Sequence, residues 1–218
     1  MPEKYYECPA CQPRRGPGKT EANPLKAFID QCAWTWTIYS QFRALSEGSP
    51  QDYKLMNEFA GAFLGDVQEV FHDYVLLRMC VATDAPSYEA QPGVYVENLS
   101  LENILAEAKL PAPLAAELRA KVDRINEIVK PIRKARDRII AHTHKENALR
   151  NHSLGQFKEG EDEEFFDLLD EVVNAIHRET HGGGPYSIKV AAADRPVSDL
   201  VIHLRMLAAD RGQELAGE

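Results

Sequence analysis

Apolar residues along this chain recur mostly at the helical spacing of three and four. Leu25, Phe28, Ile29, Cys32, Trp36, Tyr39 and Phe42 form one stripe, which predicts a helix running to about Ser46. Gly48-Ser49-Pro50 reads as a turn, with Ser49 as N-cap and Pro50 at the first helical position of a second helix. Met56, Phe59, Ala60, Phe63, Val67, Val70, Phe71, Tyr74 and Leu77 carry that helix to about Ala82. Pro86, Pro92 and Gly93 mark residues 83–99 as loop, after which Ser100 is placed to cap a short helix bearing Leu101, Ile104 and Leu105. Leu114, Leu118, Val122, Ile125, Val129 and Ile132 predict another long helix, with Pro131 expected to kink or restart it, and Ile139 and Ile140 continue the pattern.

Residues 150–161 read as loop, and Phe165, Phe166, Leu169, Val172, Val173 and Ile176 as a fifth helix. Glu161-Asp162-Glu163-Glu164 opens it, where negative charge suits the helix dipole. Gly182-Gly183-Gly184-Pro185 breaks the chain, and Tyr186 to Val190 has the composition of one short extended piece, which alone cannot make a sheet. Val197, Leu200, Val201, Leu204 and Leu207 predict a final helix. Strand signals are otherwise absent, so the expected fold class is all-α, a bundle of five or more helices. The expected organisation is a flexible leader over residues 1–22, a helical domain over 23–180, and a Gly-rich hinge with a C-terminal helix over 181–218.

Composition adds constraints rather than a function. The chain has 218 residues, 44% hydrophobic and 27% charged, which excludes wholesale disorder. No run approaches the ~18 apolar residues of a membrane span. Met1 to Glu7 lacks the apolar core of a secretory signal, so a cytoplasmic location without membrane association is expected. The net charge of −9 argues against a generic nucleic-acid coat, but the charge is uneven. Residues 119–150 hold ten Lys/Arg against four Asp/Glu, a balance of +6, while the remainder sums to −15. An acidic protein with one basic segment can still hold a polyanion locally.

Several motifs have bland readings. Cys8-x-x-Cys11 lacks the two further ligands of a zinc site, and Cys32 and Cys80 fall on apolar helical faces. Glu69-x-x-His72 has no second copy to complete a di-iron site. His142-Thr143-His144 chelates poorly on a helix, and no metal or cofactor is expected. Trp34 and Trp36 cannot share one helical face, so one is expected to be partly exposed.

The richest stretch is Arg133-Lys134-Ala135-Arg136-Asp137-Arg138-Ile139-Ile140-Ala141-His142-Thr143-His144-Lys145-Glu146. With its Arg, polar residue and His after a short spacer, it resembles the signature of the HEPN superfamily (higher eukaryotes and prokaryotes nucleotide-binding). The preceding Pro, the basic helix and the helical context over about residues 23–180 are similar to HEPN-like proteins of the abortive-infection U2 type. The resemblance implies a helical bundle that dimerises, with Arg and His from both copies at one cleft. It further implies a metal-independent endoribonuclease that uses the ribose 2′-OH, in phage defence or as a toxin with an antitoxin or other defence partner. On that reading His142 is the general base or acid, Arg136 the phosphate clamp and Asp137 the orienting carboxylate. Arg133, Arg138, His144 and Lys145 then bind the RNA.

The residue chemistry suits those roles. Neutral imidazole accepts a proton near pH 7, and guanidinium holds two phosphate oxygens. Arg136 and His142 lie about 240° apart on a regular helix, whereas Arg138 and His142 share a face. Arg138 and His144 fit the same spacing, so the working pair stays open. Some HEPN toxins carry a Tyr two residues after the His, modified by a nucleotidyltransferase; here His144 stands there. A solvated cationic helix end, or a non-catalytic HEPN-like module that binds RNA or protein, fits the same residues.

Overall fold

A computed structural model describes residues 23–136, 157–184 and 186–210. The leader over 1–22 with Cys8 and Cys11, the continuation through Ile139, Ile140 and the histidines, Pro185 and the last eight residues all lie outside it. Among the described residues there are six helices and one two-stranded sheet, so the chain is predominantly all-α.

The first two helices start where their caps dictate. Helix α1 (Pro24–Ser46) opens with Asn23, whose side chain accepts from the Lys26 N–H at 3.1 Å. Helix α2 (Pro50–Ala82) opens with Ser49, whose Oγ accepts from the Asp52 N–H at 3.2 Å, and Pro50 occupies the first turn as its fixed φ allows. The α2 backbone leaves helical geometry at Ala60 (φ −157°, ψ 35°), beside Gly61, a weak helix former.

The stretch read as loop over 83–99 is not wholly loop. It contains an antiparallel hairpin of β1 (Ser87–Gln91) and β2 (Val94–Glu97). Tyr88 pairs with Val96 and Glu89 with Tyr95. Gly93 turns the chain at φ +78°, a conformation that costs other residues and not glycine. Every residue of both strands is exposed, so the hairpin buries no core. Its base is tied down by polar bonds: Asn98 Nδ2 donates to the Ala85 carbonyl at 2.7 Å, and Asn103 Nδ2 to the Pro86 carbonyl at 3.1 Å.

Helix α3 (Leu101–Glu107) follows Ser100, as expected, but not by a side-chain cap. Ser100 Oγ is buried without a hydrogen-bond partner among the described residues. Helix α4 (Ala112–Ala135) runs through Pro131 as one helix, so of the kink or restart expected there the restart does not occur. Pro131 has no N–H to give, but Ile128, Val129 and Ile132 around it are fully buried. Packing of an apolar face supplies most helix stability in proteins and here outweighs one missing bond. Helix α5 (Glu161–His181) lies between Gly160 and Gly182, at φ +80° and +60°. Helix α6 (Arg195–Asp210) ends the described chain.

Two apolar clusters hold these helices. The larger draws Phe28 and Ile29 from α1, Met79 from α2, Leu101 from α3, Ile125 and Val129 from α4, and Phe165 and Phe166 from α5. Phe166 meets Trp36 edge-on at 5.3 Å and Tyr39 at 4.6 Å between centroids. In the smaller cluster Val197, Leu204 and Ala208 of α6 cover Leu45 of α1 and Leu55, Met56 and Leu64 of α2. Ile188, in the irregular segment before α6, is buried, and its N–H donates to Asp170 at 2.7 Å.

Candidate functional site

The described part of the basic segment ends in a pair of arginines on one carboxylate. Arg133 and Arg136 stand three apart near the end of α4 and therefore on one side of it. Arg136 keeps right-handed helical geometry (φ −51°, ψ −54°), so the turn that aims both side chains is intact. Nη1 of Arg133 and Nη1 of Arg136 donate to the same atom, Asp84 Oδ1, at 2.9 and 2.8 Å. Nη2 of Arg133 also donates to the Thr83 carbonyl and, at 2.7 Å, to Thr83 Oγ1. All three charged side chains are about a quarter exposed, at 27%, 21% and 29% for Arg133, Arg136 and Asp84.

The end of α2 explains the pairing. Its last turn carries no basic residue, and its final carbonyls are short of donors. Thr83 Oγ1 turns back to the Met79 and Cys80 carbonyls at 2.9 and 3.1 Å. Asp84 then adds negative charge at the negative end of a helix dipole. Arg133 and Arg136 supply the missing cations from α4, across about fifty positions of sequence. Thr83 and Asp84 were not among the residues the sequence singled out. The one available signal was an unpaired Asp just past a helix C-terminus.

Of the expected site residues, Arg133 and Arg136 are therefore brought together. Asp137, Arg138, His142, His144 and Lys145 lie outside the described residues. Two surface cavities, of about 430 and 240 Å³, are lined elsewhere: one by Trp36, Tyr39, Arg43 and Asp194, the other by Ile29, His177, His181 and Tyr186.

The other motifs are placed as follows. Cys32 and Cys80 are buried, and burial pushes the Cys32 thiol up to about 12. His72 is half exposed beside Phe42, and the described residues contain no group of three metal-ligating side chains. Trp34 is 48% exposed, while Trp36 packs on Phe166. The acidic opening of α5 does more than complement a dipole. Asp162 accepts from Tyr39 Oη at 2.7 Å, Glu163 pairs with Arg43, and Glu164 accepts from Arg124 Nε and Nη2 at 2.8 and 2.6 Å. Those bonds stitch α5 to α1 and α4. Burial, and then the Asp162 bond, raise the Tyr39 phenol above its ordinary range.

Fold and site thus define a class: an all-α bundle with a paired-arginine surface at the end of a basic helix. The match to a known family is specific, since the HEPN_AbiU2 family, described as AbiU2, matches residues 23–200. The chain belongs to that family. No curated protein matches it, and no solved structure matches it. Among the described residues, no helix is long and apolar enough to cross a membrane.

Proposed function

We propose that this chain is a metal-independent endoribonuclease acting in abortive infection or as a toxin, working as a homodimer on RNA. The observation that carries the reading is the aimed guanidinium of Arg136, fixed beside Arg133 on the last turn of α4. The Arg-Asp-x4-His run continues directly from that turn in a chain of this family.

The chemistry needs few parts. His142 takes the proton from a ribose 2′-OH as that oxygen attacks the adjacent phosphorus. Arg136 holds the non-bridging oxygens while negative charge builds on them. The bond to the 5′-oxygen breaks, and a protonated imidazole returns a proton to it. The products are a 2′,3′-cyclic phosphate and a free 5′-hydroxyl. Asp137 orients the pair, and Arg133, Arg138, His144 and Lys145 give the backbone of the RNA a cationic track. A toxin of this kind requires an antitoxin or a defence partner that restrains it.

The test is cleavage of labelled RNA by purified protein in EDTA. His142→Ala should lower the rate by about 10²–10⁴-fold and Arg136→Ala similarly, with melting temperature retained. DNA, lacking the 2′-OH, should stay intact. If the wild type leaves RNA uncut, or His142→Ala cuts it as fast, the chain is instead a non-catalytic RNA-binding or protein-interaction module. One observation favours that second reading: Asp84 already occupies both described arginines of the site.

A further inference from the structure

We propose that Arg133, Arg136 and Thr83 form a phosphate seat whose resident anion is Asp84, which an RNA phosphodiester displaces. The inference rests on the reading of Arg136 as a phosphate clamp and adds the group that competes for it.

Three features carry it. First, two guanidinium Nη1 atoms converge on the single oxygen Asp84 Oδ1, at 2.9 and 2.8 Å. Two donors on one oxygen is the arrangement a non-bridging phosphate oxygen takes between arginines. Among the described residues no donor reaches Asp84 Oδ2, so the carboxylate uses half of its capacity there. Second, the seat is open to solvent on the scale needed for exchange, since all three side chains are about a quarter exposed. Third, Asp84 belongs neither to α2 nor to the core. It stands one residue past the Thr83 cap, with its N–H on the Val81 carbonyl at 3.2 Å, at the foot of a hairpin that buries nothing. It belongs to neither apolar cluster.

Charge gives the exchange its direction. From residue 79 to 108 there are five acidic residues and no Lys or Arg, so the segment that supplies Asp84 is itself net negative. An incoming phosphodiester must compete with a tethered carboxylate already in place, which lowers its apparent affinity. Once seated, it offers two non-bridging oxygens to the donors that Asp84 meets with one. Arg133 keeps its bonds to Thr83 in either state and so stays aimed. Asp84 is in this sense a positioning and restraining residue, not a catalytic one.

The experiment measures binding without cleavage. The probe is a 2′-O-methyl oligouridylate of about ten nucleotides, which has no free 2′-OH, followed by fluorescence anisotropy between about 50 and 200 mM salt. Asp84→Asn keeps the shape and an acceptor oxygen but removes the charge. It should bind about five- to tenfold tighter at the lower salt, with the slope of log K against log salt steeper by about one. Asp84→Glu should stay near wild type. Adding Arg133→Ala to Asp84→Asn should cancel the gain. In the otherwise wild-type protein, Arg133→Ala should weaken binding about fivefold, a measurement that stands even if Asp84→Asn does not fold. Binding by folded Asp84→Asn that is equal to or weaker than wild type overturns the proposal, as does unchanged binding by Arg133→Ala. A purely structural tie between α2 and α4 would lower the melting temperature of Asp84→Asn and leave anion affinity where it was. Tighter binding by Asp84→Asn with no cleavage of ordinary RNA would sink the ribonuclease and leave the seat standing. His142-dependent cleavage with no effect of Asp84→Asn on binding would do the reverse.

Discussion

Pro131 sits inside an unbroken helix, and that makes Pro131→Ala an informative substitution. The alanine restores an N–H that can reach the Glu127 carbonyl, and it relieves the clash of the proline ring with the preceding turn. In a helix interior the Pro-to-Ala difference is about 3 kcal/mol. Against it stand about 0.4–1 kcal/mol of lost stiffness in the unfolded chain and some contact made by a half-buried ring. The net expectation is a gain of about 1–2 kcal/mol. At the size of this chain that is a rise in melting temperature of about 2–8 °C. Urea unfolding at 25 °C with an unchanged m-value is the assay, since a change in m would report altered compactness instead. Ile132→Ala is the counter-measurement. It leaves the backbone alone, removes a fully buried side chain, and should cost about 2–4 kcal/mol. If Pro131→Ala destabilises the protein, or Ile132→Ala costs under about 1 kcal/mol, then packing is not what carries α4 through the proline, and the aim of Arg133 needs another cause.

Other outcomes follow from the same contacts. Replacing residues 88–96 by a short Gly-Ser link should leave the melting temperature nearly unchanged, because both strands are exposed throughout and the larger cluster includes none of their residues. Thiol titration should find Cys32 unreactive in the native protein and reactive in urea. The raised Cys32 pKa means that the unfolded chain loses this proton first, so its contribution to stability is complete below about pH 9 and is lost between there and about 12. Alkaline unfolding of wild type against Cys32→Ala reads that loss, and an identical pH profile for both would refute it. Light scattering at micromolar concentration should give twice the chain mass of 24.5 kDa, and Trp34→Ser should reduce that value if the exposed indole lies in the dimer surface. A mass of one chain for the wild type would contradict the homodimer.

The helices were legible in the sequence because a helix is a local object. Its apolar face repeats every three to four residues, and its start is written in signals such as Ser49-Pro50. The family signature was legible for the same reason, since Arg136 and His142 lie within one short run. Two local readings failed where packing or pairing outweighed propensity. Pro92 and Gly93 looked like loop punctuation, yet they turn a hairpin whose strands had to find each other, and Pro131 looked like a kink or a restart, of which the restart does not occur in a helix that buried neighbours hold together. The pairing of Asp84 with Arg133 and Arg136 was beyond any local pattern. It depends on α2 ending beside the last turn of α4, which is decided when the larger apolar cluster closes and not by any spacing along the chain. The same holds for the acidic start of α5. Its four carboxylates read as one helix terminus in sequence, and only the packed bundle assigns Asp162 to Tyr39, Glu163 to Arg43 and Glu164 to Arg124. Periodicity states which face of a helix is buried; which helix covers it, and which charges then meet at the rim, follows from the one arrangement that buries all the faces at once.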